Sequence, residues 1–171
     1  MTIADNRLET IERRLAILEA REAIRHLISS YGPRVDTMDS DDKAGNASDI
    51  WTQDGVYDIG SVGRKTGRDE ITDSFKGFHV ELVHGGCAHF LGSPYIRLDG
   101  DRATALHYSV VFRADGEDFK IWRVSANEWQ LVCENGEWRV KVRTNRLLNG
   151  EEEARLVFSS IHALEAKEDR L

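Results

Sequence analysis

Apolar and polar positions along the first 31 residues follow a helical rhythm. Leu8, Ile11, Leu15 and Leu18 recur at three- and four-residue steps among Glu and Arg. Ala23, Ile24, Leu27, Ile28 and Tyr31 carry the helix on with a slightly rotated face. The earlier seam is narrow, which suits packing on another subunit or on the body of the domain. Gly32-Pro33 then disturbs the pattern, because a proline inside a helix loses a donor and crowds the carbonyl four residues back, here that of Ser29. A kink or break is expected, with Asp36 on the turn that follows. After a polar stretch from Asp39 to Asn46, residues Ala47–Trp51 read as a short helix and Val56–Ile59 as a short strand. Gly67–Phe75 reads as another helix, closed by Gly77, and His79–Gly86 as a mobile connection.

The second half changes period. Cys87–Leu98, Ala103–Arg113, Phe119–Cys133 and Trp138–Leu147 are four long candidate strands. Asp99-Gly100, Asp115-Gly116 and Asn135-Gly136 separate them, and such pairs are strong hairpin signals. Helices followed by an antiparallel meander predict an α+β domain, a curved antiparallel sheet wrapped around the N-terminal helices in a cone-shaped barrel. Ala154, Val157, Phe158, Ile161 and Leu164 give the tail, residues 151–171, a helical face that would dock on the domain or on a neighbour.

Length changes this picture little: 171 residues suit one domain, with an N-terminal helix over 8–31 and a core running to about 150. A formal charge of -7 argues against nucleic acid or an anionic membrane as main partner. Cys87 and Cys133 have neither zinc-site nor CxxC spacing and read as free thiols in a reducing compartment. With no signal-peptide pattern and no apolar run near 20 residues, the expected location is the cytoplasm.

Candidate chemistry comes from side chains placed on these elements. In the last strand Trp138, Val140, Val142, Thr144 and Arg146 share one face, and the apolar members predict that this face looks inward. Arg146 would then need a partner or a cavity, unless it frays outward at the strand end. His89 and His107 fall within strands, each readable as a satisfied core histidine or as a placed base. Asn127 shares a row with Trp129 and Leu131 and could offer a substrate one polar contact, or be a plain strand amide. His84 sits where a loop could cover a pocket mouth, whereas His26, His79 and His162 read as surface or loop residues. Asp36, five residues beyond Tyr31, could border the same cavity. No zinc-ligand spacing, phosphate loop, nucleophile elbow or dinucleotide fingerprint is present, so neither metal nor cofactor is expected.

Together these features resemble the SnoaL-like branch of the nuclear-transport-factor-2-like superfamily over roughly residues 8–150. Trp51-Thr-Gln-Asp54-Gly-Val-Tyr57, Gly67-Arg-Asp-Glu-Ile71 and the meander carry the likeness. Within that branch, Tyr31-Gly-Pro-Arg-Val-Asp36 and Ala88-His89-Phe90 are similar to the segments around the active-site Tyr, Asp and His of bile-acid 7α-dehydratases. Arg146 falls where those enzymes place an arginine, and His89 with His107 resembles the pocket histidines of scytalone dehydratase. The resemblance implies a cofactor-independent lyase acting on a small, hydrophobic, hydroxylated ring substrate, in which His89 is the base and Asp36 orients it. Water would leave by elimination, or a small aldehyde by carbon–carbon cleavage. Tyr31 or Tyr57 would donate a proton and Arg146 or His107 would hold an oxyanion. Trp51, Tyr57, His84, His107 and Asn127 are the expected substrate contacts. An isomerase, a non-catalytic dioxygenase β-subunit or a small-molecule binding protein is the alternative. A homo-oligomer is expected, a trimer before a dimer.

Overall fold

The computed structural model describes residues 3–166 and Asp169; the ends of the expected 1–171 span, including residues 167, 168, 170 and 171 of the tail, lie outside the described residues. One helix, α1 (Ile3–Asp36), runs without a break through Pro33. Ile24, Ile28, Tyr31 and Val35 recur at steps of four and three and are buried in the main core. Burying each of the three aliphatic side chains is worth roughly 1.5–3 kcal/mol, enough to offset the one backbone bond a proline deletes so near the helix end. Gly32 supplies the rest of the reason: a Cβ at this position would run into the backbone carbonyl oxygen of His89. The Gly32-Pro33 pair is therefore a contact point for the next layer, not a hinge. Leu8, Ile11, Leu15 and Leu18, in contrast, are each more than half exposed. The body of the molecule does not cover that seam.

Helix α2 (Ala44–Ser48) ends before Trp51, which starts strand β1 (Trp51–Asp58) instead of closing a helix. Short strand β2 (Arg64–Thr66) follows, then helix α3 (Arg68–Ser74) and a further helix, α4 (Phe78–His84), in the segment expected to be a loose connection. The first long candidate strand is two, β3 (Cys87–Leu91) and β4 (Tyr95–Asp99), which pair with successive parts of β5 (Arg102–Asp115). Strands β6 (Asp118–Glu134) and β7 (Glu137–Leu147) complete the meander. The Asn135-Gly136 hairpin has the left-handed backbone at both residues that this dipeptide signals.

The sheet runs β2-β1-β7-β6-β5-β3, with β4 also on β5. It is curved and unclosed, and it is mixed: β1 lies parallel to β7, whereas every other pairing is antiparallel. That parallel contact joins residues far apart in the chain, which no local pattern announces. Helix α1 packs on β3, β4 and β7, and α5 (Glu152–Ser159) and α6 (Ile161–Glu165) follow the sheet, α5 against β6 and β7. Among the described residues, no helix is long and apolar enough to cross a membrane.

Candidate active site

The close approach of α1 to β3 at Gly32 sets the geometry one turn later. Asp36, the last residue of α1, meets His89 on β3 through both carboxylate oxygens. Oδ1 lies 2.6 Å from the ring Nδ1, and Oδ2 accepts the His89 backbone N–H at 2.8 Å. An ionised carboxylate can only accept, so Nδ1 carries the proton and Nε2 is left with its lone pair. His89 keeps 15% of its side-chain surface open, which leaves it reachable. It lines an apolar cavity of about 260 Å³ together with Tyr31, Tyr57, Phe75, Leu91 and Trp122.

The thiol of Cys87 also points at Asp36, 3.7 Å from Oδ1. Asp36, Cys87 and His89 place three potential ligand atoms within 4.8 Å of one another. Burial first, and then the neighbouring Asp36 charge, push the Cys87 thiol up to about 11. A protonated thiol and a carboxylate already engaged by a ring N–H and a backbone N–H fit a hydrogen-bonded cluster better than a cation cage.

His79 was expected as a surface or loop residue and instead faces the cavity from α4, its ring centroid 5.4 Å from that of His89. Its Nε2 lies 3.0 Å from the Val35 carbonyl oxygen, which fixes Nε2 as the protonated nitrogen. Burial holds His79 below the usual imidazole range, so it sets no second cation beside the dyad. The signal available for it was the three-residue helical step from His79 to Leu82 on α4, since Phe75 closes α3 on the other side of Gly77.

The second correction concerns the arginines of β7. Leu131 pairs with Val140 but Gln130 pairs with Val142, so Lys141 is an extra residue in the strand. Such a bulge exchanges the two faces. Val140 is inward before it; Arg143 and Asn145 are inward after it. Arg146, expected at the end of the inward row, turns away from the cavity into a two-pronged pair with Asp58, at 2.8 and 3.0 Å, and a further contact with Glu153. Arg143 takes the inner place. Its guanidinium lies over Tyr31, Trp129 and Tyr57, at 4.1, 4.3 and 5.0 Å from the ring centroids. Nε and Nη2 both donate to Asn127 Oδ1, and Nη1 has no hydrogen-bond partner among the described residues.

Tyr31 and Tyr57 stand as expected on the cavity wall, their hydroxyls 3.5 Å apart. Burial raises Tyr31 far above the ordinary phenol range, so it remains a proton donor. The other expected contacts stand back from the cavity. Asn127 is buried beneath it as a hub, donating to Ser109 Oγ and accepting from Arg143 and Asn145. Trp51 is wholly buried in the core. His84 bonds the Asp39 carbonyl oxygen at an exposed position outside the cavity.

His107 is a satisfied core histidine. Nδ1 donates to the Tyr108 carbonyl oxygen and Nε2 accepts the Trp129 indole N–H at 2.6 Å. Burial pulls it down to about 4. The unfolded chain would take up this proton near 6.5, where the folded state refuses it. Stability is therefore complete above about pH 6.5 and falls as pH drops towards 4, by about 3 kcal/mol in all. Acid denaturation followed in His107→Gln should show a visibly flatter dependence over that window. An unchanged slope would mean that His107 is not the group being titrated.

A helix-led chain whose curved sheet encloses an apolar cavity with an Asp–His pair on its wall has the architecture of the nuclear-transport-factor-2-like group. The chain belongs to the SnoaL-like domain family, which matches residues 16–144. It is similar to a crystal structure of a nuclear-transport-factor-2-like protein with a cystatin-like fold from Novosphingobium aromaticivorans. The two share 41% identity over 84% of this chain and 92% of that one, with a TM-score of 0.79. A single-substitution variant of Rv3472, a protein of unknown function from Mycobacterium tuberculosis, is similar in fold at 18% identity, covering 100% of this chain and 99% of that one, with a TM-score of 0.63. A candidate beta subunit of an aromatic-ring-hydroxylating dioxygenase from Novosphingobium aromaticivorans shares the fold at 20% identity, over 77% and 91% of the two chains, with a TM-score of 0.62. None of the curated proteins matches the sequence.

Proposed function

We propose that the chain is a cofactor-independent lyase for a hydrophobic, hydroxylated ring substrate, with His89 as general base. One observation carries this reading: Asp36 grips His89 through both carboxylate oxygens and leaves Nε2 free at the wall of an apolar cavity. In the elimination, Nε2 takes a proton from carbon, the C–H electron pair becomes the new double bond, and the neighbouring C–O bond breaks. The departing hydroxyl takes a proton from Tyr31 or Tyr57 and leaves as water. In the aldehyde-releasing variant, Nε2 takes the proton of a substrate hydroxyl, its electrons form the carbonyl, and the adjacent carbon–carbon bond breaks with its electron pair going to the ring-bearing carbon. Asp36 stabilises the imidazolium in either case.

General-base help is worth about 10²–10⁴-fold, so the substrate must already be activated by a carbonyl, phenol or allylic group. Arg143, with its unpartnered Nη1 behind the tyrosine wall, replaces Arg146 as the cation able to favour developing negative charge. The proposal includes a homo-oligomer, a trimer before a dimer, supported by the exposed apolar row of α1.

The test is a panel of hydroxylated aromatic and steroid-like compounds followed by mass spectrometry. Loss of water or of formaldehyde supports the lyase. A product of unchanged mass but new retention time would instead favour an isomerase using the same dyad.

A further inference from the structure

Two guanidinium groups serve one wall of the cavity, and among the described residues neither has a carboxylate partner. Arg143 is the buried one. Arg123, on β6, is the one a ligand can reach, being only partly buried. Its Nε donates to Ser125 Oγ at 3.3 Å and its Nη2 to Asn145 Oδ1 at 2.9 Å. Both acceptors are neutral, so they hold the planar group in place without cancelling its charge. Nη1 is left as a donor with no protein partner among the described residues. Arg123 aims inward by plain strand alternation, on the face of Ser125, Asn127 and Trp129, and the register shift at Trp122 comes only after it.

Register fixes where this cation lies relative to the base. His89 pairs directly with Val111 on β5, and Val111 pairs directly with Arg123 on β6. All three side chains line the cavity. Two strand spacings put the backbones of His89 and Arg123 roughly 10 Å apart, about the span of one substituted aromatic ring. On the dyad side the Asp36 charge is engaged by His89. The wall near Arg123 therefore carries positive charge with no carboxylate paired to it among the described residues, in a setting where apolar walls strengthen its field.

From this the geometry points to an anion subsite: the substrate carries an oxyanion, a carboxylate or an ionised phenol, bound at Arg123 Nη1 one ring away from the hydrogen that His89 removes. The two bonds to Ser125 and Asn145 use two of the five N–H groups of Arg123, so both N–H groups of Nη1 and the second of Nη2 remain to hold one or both oxygens of the anion. The inference rests on reading the cavity as a substrate pocket, but it requires no turnover.

Its test is therefore a binding measurement with simple probes. 4-Nitrophenol is titrated below its own pKa, where the free probe is mostly neutral, and the phenolate absorbance band reports its ionisation on the protein. Benzoate and benzamide compete as anionic and neutral isosteres, and 4-nitroanisole serves as the neutral counterpart of the phenol. Benzoate is expected to bind about 10–100-fold more tightly than benzamide, the range of one charge-assisted hydrogen bond. A carboxylate-preferring subsite shows benzoate displacement without the phenolate band, and a phenolate-preferring one shows the band. Arg123→Gln should erase the anion preference in both arms and Arg123→Lys should keep most of it. His89→Ala, which would abolish the proposed turnover, should leave the preference intact, so that the two readings fail separately. Equal binding of benzoate and benzamide by the wild-type protein, or a preference that survives Arg123→Gln, would overturn the subsite.

Discussion

Asp36→Asn is expected to lower turnover by about 10²–10⁴-fold while leaving the fold intact. The carboxylate accepts two N–H groups of the same residue, the ring Nδ1–H and the backbone N–H of His89. An asparagine has one carbonyl oxygen and one NH₂, so it can satisfy only one of the two as acceptor. If the amide nitrogen turns towards the ring, Nδ1 must become the acceptor and the proton moves to Nε2, which points the wrong tautomer at the substrate. If it turns towards the backbone, two donors face each other and the β3 contact loosens. Either arrangement also removes the charge that would stabilise an imidazolium. Steady-state rates with matched circular dichroism spectra check this, and a variant retaining full turnover would remove Asp36 from the mechanism.

Substitution of Gly32 should act on the same pair from a distance. In an ordinary helix interior, Gly→Ala gains about 1 kcal/mol. Here the new Cβ meets the backbone oxygen of His89, which cannot rotate away as a side-chain tip could. Overpacking of this kind costs about 1–3 kcal/mol, and more for a β-branched side chain. Gly32→Val should therefore lower the melting temperature by several degrees and, by pushing α1 off β3, lengthen the Asp36–His89 contact and depress turnover as well. A Gly32→Ala protein with a raised melting temperature would show that the two elements can separate freely. Close packing on β3 could then no longer explain why α1 passes unbroken through Pro33.

The parts of this architecture that could be read from sequence are those encoded locally. The hairpins at Asp99-Gly100, Asp115-Gly116 and Asn135-Gly136 are legible because glycine or asparagine is needed where the backbone turns left-handed. Ile24, Ile28 and Tyr31 reveal the buried face of α1 by spacing alone, whereas Val35, on the same face, lies beyond the break expected at Gly32-Pro33. The Asp36–His89 contact spans 53 residues, and only the resemblance of its flanking segments brought the two together. Strand parity misassigned Arg143 and Arg146 because one inserted residue, Lys141, reverses every face beyond it and leaves no compositional trace. His107 was legible as a strand residue that could be a satisfied core histidine or a base, and the partner that decides for the core, Trp129, reaches it only across the β5–β6 pairing. Pro33 misled for a related reason: the penalty it imposes is local, whereas the packing that outweighs it comes from β3.

The account stands most directly on the base. His89→Ala, assayed with whatever compound the wild-type protein converts, should lose nearly all turnover and regain part of it when imidazole is added, the recovery rising with the neutral imidazole concentration. Full turnover by His89→Ala without imidazole would contradict it.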